Sequence, residues 1–92
     1  MPTILINGEA EDYDHWREFF DAGEARRDEH GVRASHVFRG TDVPNEFAII
    51  MECDDLDEMR ALSTHPDQIQ AEEDAGVDPE TTRAFVLDEV TE

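Results

Sequence analysis

A chain of 92 residues with 25 aspartates and glutamates, seven arginines and no lysine carries a formal charge of −18. Such a surface neither neutralises the phosphates of a nucleic acid nor approaches an anionic bilayer, so no nucleic acid and no membrane is expected among its partners. The length is that of one small domain, residues 1–92, and its single cysteine, Cys53, excludes an internal disulfide, which leaves a metal or a second copy as the extra source of stability.

Residues 3–7 (Thr3-Ile4-Leu5-Ile6-Asn7) form a short β-branched run ended by Gly8 and are predicted as a strand. After an acidic stretch, Asp12 or Asp14 can cap a helix, because a carboxylate there accepts free backbone N–H groups. Tyr13, Trp16, Phe20 and Gly23 then recur at helical spacing with Phe19 beside them, while Asp14, Arg17, Glu18, Asp21 and Glu24 take the other side. This amphipathic helix is expected to run to His30-Gly31, where glycine suits a left-handed end. Ala34–Arg39 is the second strand, and the turn-forming residues 40–45 join it to a third, Phe47–Cys53, as an antiparallel hairpin. Asp54-Asp55 starts the next helix through Leu56, Met59 and Leu62. Pro66 restarts it as far as Gly76. Residues Ala84–Val90 make the last strand.

The order β-α-β-β-α-β predicts an α+β, ferredoxin-like fold with an antiparallel sheet. One feature of the strands goes further. In the third strand Phe47, Ile49 and Met51 share one face and Ala48 and Ile50 the other, and the last strand is also apolar on both sides. A sheet with two apolar faces in so charged a chain needs cover on both, which predicts a homodimer.

The acids are spread along the whole chain, and apolar residues still make up 38% of it, so the charge belongs to a folded surface rather than a tail. Molar salt shortens the Debye length to ~3 Å and screens such self-repulsion. Dense acid without lysine therefore reads as adaptation to high salt. The start, Met1-Pro2-Thr3, shows no basic, apolar leader and no long apolar run follows, so a cytoplasmic location is expected.

Several phrases together resemble the dimeric α/β-barrel superfamily, and within it the small antibiotic-biosynthesis-monooxygenase-like proteins. They are Tyr13-Asp14-His15-Trp16, Gly31-Val32, His36-Val37-Phe38-Arg39, Asp42-Val43-Pro44-Asn45-Glu46, the Phe47–Glu52 strand, the Asp54–Ala61 helix start and the segment Ser63–Gly76. The resemblance spans nearly the whole chain. It implies sheets paired into a shared barrel and a pocket in each subunit between sheet and helices. It also implies cofactor-free oxidation or cyclisation of a small aromatic or polyketide-like compound, or a non-catalytic binding or regulatory role in a homodimer. Haem-degrading relatives combine an asparagine, a tryptophan and a histidine; here Asn7 is present, but the second helical region has no tryptophan, and Glu72-Glu73 stand near the histidine position. His65-Pro66 resembles a pair found in polyketide cyclases, with Asp67 and Gln68 where a companion histidine would follow.

Histidine is the side chain that titrates near neutrality, so His36 and His65 are the candidate catalytic residues. His36 lies on a strand beside Ala34 and Phe38, either as a proton acceptor for a phenol or as a histidine of the dimer interface. His65 is either a general base at the pocket mouth or a helix-entry residue. Trp16 and Phe20, with His15 at the edge of their stripe and Asn7 on the first strand, are the candidate ligand-binding residues, though aromatics at this spacing also build cores. His30 reads as a helix-end residue. Acidic neighbours dull Cys53 as a nucleophile. No metal-ligand spacing or phosphate loop is present, so neither a metal nor a cofactor is expected.

Overall fold

The computed structural model describes residues 2–88 and 90. Its elements are β1 (Thr3–Glu9), α1 (Tyr13–Ala22), α2 (Glu24–Glu29), β2 (Val32–Arg39), β3 (Glu46–Cys53), α3 (Leu56–Thr64), α4 (Pro66–Asp74) and β4 (Arg83–Leu87). The strands form one sheet in the order β2-β3-β1-β4, every neighbouring pair antiparallel. This is the ferredoxin-like α+β arrangement, with each of its two helical crossovers broken into two pieces. Among the described residues no helix is long and apolar enough to cross a membrane.

Local chemistry sets the helix starts. Asp12 accepts the Asp14 N–H at 3.0 Å to cap α1, and Asp55 accepts that of Asp57 at 2.8 Å to cap α3. At the head of α4 the cap is a histidine: His65 Nδ1 accepts the Asp67 N–H at 3.1 Å, and Pro66 supplies a first helical residue that needs no partner for its nitrogen. The predicted continuous first helix instead breaks at Gly23, whose φ of −86° and ψ of 3° depart from the helix. Gly31 then turns the chain into β2 with φ 83°, a conformation that favours glycine. The last strand ends at Leu87, short of the expected Val90, which lies outside any strand; Glu89 is outside the described residues.

Pairing register separates the two faces of the sheet. Ile4, Ile6 and Gly8 of β1 stand opposite Met51, Ile49 and Phe47 of β3, on the face that the helices cover. There Trp16, Met59, Leu62 and Ala75 close over Ile4, Phe47, Ile49, Met51 and the fully buried Cys53. The opposite face carries an apolar row across all four strands, His36–Ile50–Leu5–Phe85, next to Phe38–Ala48–Asn7–Arg83. Among the described residues nothing covers this face: Phe38 is 53% exposed and Phe85 49%. The two-faced hydrophobicity read from the strands is thus real, and one side of it remains open.

Candidate functional site

Between the sheet and the helices lies a cavity of about 580 Å³, within the range of small-molecule pockets. Ile6, Phe47, Ile49 and Met51 form its floor, α1 supplies Trp16, Phe19 and Phe20, and α3 supplies Met59 and Leu62. One wall is a column of flat groups. The Phe47 ring stacks on Trp16 at 4.2 Å and 16°, Trp16 stacks on Phe20 at 5.3 Å and 25°, and the Arg27 guanidinium lies over Phe20 at 3.8 Å. Each contact is of the offset-stacked or cation–π kind that contributes about 0.5–1.5 kcal/mol beyond simple burial.

The break at Gly23 makes room for the last member of that column. A β-carbon at position 23 would stand 3.1 Å from Arg27 Nη1, tighter than ordinary contact. Arg26 reaches the other way, donating from Nη1 to Gln68 Oε1 at 3.0 Å, and so ties α2 to α4 beside the cavity. Gln68 in turn donates to Glu72 at 3.2 Å. Arg26, Arg27, Gln68, Glu72 and Glu73 are the polar part of the lining, together with Ser63 and Thr82. Burial lowers the pKa of the Arg27 guanidinium, against the opposing attraction of Glu24 and Asp21.

The structure brings together only part of the predicted set. Trp16 and Phe20 line the cavity. His15 lies outside it, where Nε2 donates to the Asp74 carbonyl at 3.0 Å and the ring meets Phe19 edge-on at 4.9 Å, pinning α1 to the end of α4. Asn7 is on the open face of the sheet, and its Nδ2 donates to the Phe47 carbonyl at 2.9 Å. His36 is exposed on that same face, opposite Ile50. His65 is occupied with capping α4, its ring 6.0 Å from that of His30, which itself bonds the Arg26 carbonyl at 3.0 Å. None of the four histidines lines the cavity.

Arg26, Arg27 and Gln68 were not singled out from the sequence. A signal for Arg27 existed: it is the next position of the Tyr13, Trp16, Phe20, Gly23 stripe, seven residues after Phe20. Cys53 is buried with Sγ 3.7 Å from the Pro2 carbonyl; burial pushes its thiol pKa up, the inert direction, against a backbone hydrogen bond at Asp55 that pulls it down. Among the described residues no three His, Cys, Asp or Glu side chains gather as a metal site.

No family model and no curated protein matches this sequence. Solved structures do match the fold. SnoaB, a cofactor-independent oxygenase from Streptomyces nogalater, superposes with a TM-score of 0.80 at 14% identity, over 99% of this chain and 94% of its own. An antibiotic biosynthesis monooxygenase gives 0.77 at 16% identity, over 99% and 100%. A dimeric ferredoxin-like protein of unknown function from a Jannaschia species gives 0.72 at 15% identity, over 96% and 98%. The chain therefore has the fold of the antibiotic-biosynthesis-monooxygenase-like proteins over its whole length, as the sequence resemblance implied.

Proposed function

We propose that this chain is a homodimeric, cofactor-independent monooxygenase- or cyclase-like enzyme that takes a small aromatic or polyketide-like compound into the cavity between sheet and helices. The observation that carries this reading is the cavity itself, about 580 Å³ and walled by the Phe47–Trp16–Phe20 stack. The shared fold with SnoaB, itself a cofactor-independent oxygenase, supports the reaction class. Without a cofactor the substrate must supply the electrons. Loss of a proton from an electron-rich phenolic ring system gives a carbanion that dioxygen can oxidise, one oxygen atom staying as a carbonyl and the other leaving as water. The proton carrier in this reading is His65, three residues ahead of the cavity-lining Gln68; His36, on the far face of the sheet, belongs to the pairing surface instead.

The second copy sits on the open sheet face, where it covers Phe38, Phe85 and the His36–Ile50–Leu5–Phe85 row. The Jannaschia protein, a dimeric ferredoxin-like protein of the same fold, supports this pairing.

A second reading, a non-catalytic small-molecule-binding or regulatory homodimer, is favoured by one observation: no histidine lines the cavity. Oxygen uptake and product mass, measured with a panel of polycyclic phenols, separate the two. Oxygen consumption that falls in His65→Ala and holds in His36→Ala supports the enzyme. Binding of the same compounds without uptake or mass change, unaltered in both variants, leaves the binder.

A further inference from the structure

In a chain with 25 acids for seven arginines, a guanidinium without an acceptor is unexpected. Six of the seven have one. Arg17, Arg33 and Arg60 pair with Asp21, Asp54 and Asp57; Arg26 bonds Gln68; Arg39 and Arg83 donate to backbone carbonyls. Arg27 has no hydrogen-bond acceptor and no ion pair among the described residues, yet it is half-buried and lines the cavity. Asp21 and Glu24, which line a second, polar groove that Phe20 and Arg27 also border, act on it only through space. The guanidinium lies over the Phe20 ring at 3.8 Å, a contact that leaves its N–H fork free for an acceptor.

Removing a cation from water without a partner is unfavourable, and a bound anion would offset that cost. Resting on the reading of this cavity as an aromatic-compound site, we infer that its ligand is an aromatic carboxylate. The ring lies along the Trp16–Phe20 wall, and the carboxylate meets the Arg27 fork with the adjacent Arg26 adding charge. A carboxylate matches the guanidinium with two parallel hydrogen bonds. It is also fully ionised at neutral pH, whereas a simple phenol, with a pKa near ~10, keeps its proton. Glu72 and Glu73, the acidic members of the lining, are exposed to water and screened in molar salt, while the half-buried Arg27 is screened less.

The test is isothermal titration of the full chain in molar KCl with 2-naphthoate and with its neutral counterpart, 2-naphthamide. We expect the carboxylate to bind at least about tenfold more tightly, the effect of one added charge-assisted hydrogen bond. Arg27→Gln abolishes the preference. Arg27→Lys, which keeps the charge but not the planar fork, reduces it. Arg60→Gln, which removes a surface charge elsewhere, leaves it unchanged. Circular dichroism reports folding, and if Arg27→Gln fails to fold, the ratio in Arg27→Lys and Arg26→Gln decides. Equal binding of the two probes overturns the inference while the aromatic cavity stands. A preference that survives in both Arg27→Lys and Arg26→Gln at full size overturns it as well. Binding of neither probe overturns the inference and the cavity reading together.

Discussion

Phe85 is the most direct lever on the proposed pairing. Its ring lies on the open face of the sheet, opposite Leu5, and remains 49% exposed in the single chain. A phenylalanine side chain presents on the order of 200 Å², so roughly 100 Å² is left for a second copy to cover. At ~25 cal/mol/Å² this is about 2.5 kcal/mol per chain, and about 5 kcal/mol per dimer, since a two-fold interface uses the same patch twice. Phe85→Glu removes that burial and sets a carboxylate into an apolar surface of an already anionic protein. Loss of freedom on association makes 5 kcal/mol an upper figure, so the expected weakening is about a thousandfold. The fold of the chain itself should change by no more than about 1 kcal/mol, because position 85 is exposed on an edge strand. Light scattering on a size-exclusion column in molar KCl reads the mass, and circular dichroism reads the fold. A native protein with the mass of one chain, or a Phe85→Glu protein that keeps the mass of two at micromolar concentration, would refute the reasoning.

Phe47, 2% exposed and stacked on Trp16, anchors the cavity floor; Phe47→Ala should destabilise the chain by about 3–5 kcal/mol in urea titration, and a loss below about 1.5 would place the ring outside the core. Arg33 holds the Asp54 carboxyl below the ordinary value of 3.8, chiefly through their hydrogen bonds. The folded carboxyl is then the stronger acid, so its contribution is present above 3.8 and fades as pH falls through the lower folded value. Arg33→Gln should accordingly flatten the acid limb of a stability-against-pH curve, and an unchanged limb would contradict the assignment. Salt adaptation, which we propose from the charge of −18, predicts a melting temperature that climbs steadily from millimolar to molar KCl; a flat profile would remove it.

Much of this fold is legible in the residues because local rules and tertiary needs agree. Asp12, Asp55 and Pro66 mark helix starts that the structure uses, and Gly31 marks a turn that demands positive φ. The two-faced apolar strands are equally visible, but the pattern alone does not say which face the helices take. That is why His36 and Asn7 could be read as facing a pocket: period-two alternation places them relative to Phe38 and Leu5, and only the packing of Trp16 on Phe47 decides the side. The break at Gly23 was hidden for another reason, since a single glycine is tolerated inside a helical pattern. Arg27 continues the spacing of the aromatic stripe, but spacing alone does not tell a cavity-facing arginine from a solvated one. Its place depends on that break and on the Phe20 ring, which are tertiary facts.

The lone tryptophan gives the molecule a property beyond packing. Trp16 is sandwiched between Phe47 and Phe20, on the cavity side of the sheet, with the whole strand layer between it and the open face. Its emission is therefore an optical reporter that responds when something enters the cavity and stays silent when two sheets meet. Ligand uptake and chain pairing, which size and heat measurements mix, are separable in this protein by the colour of one indole.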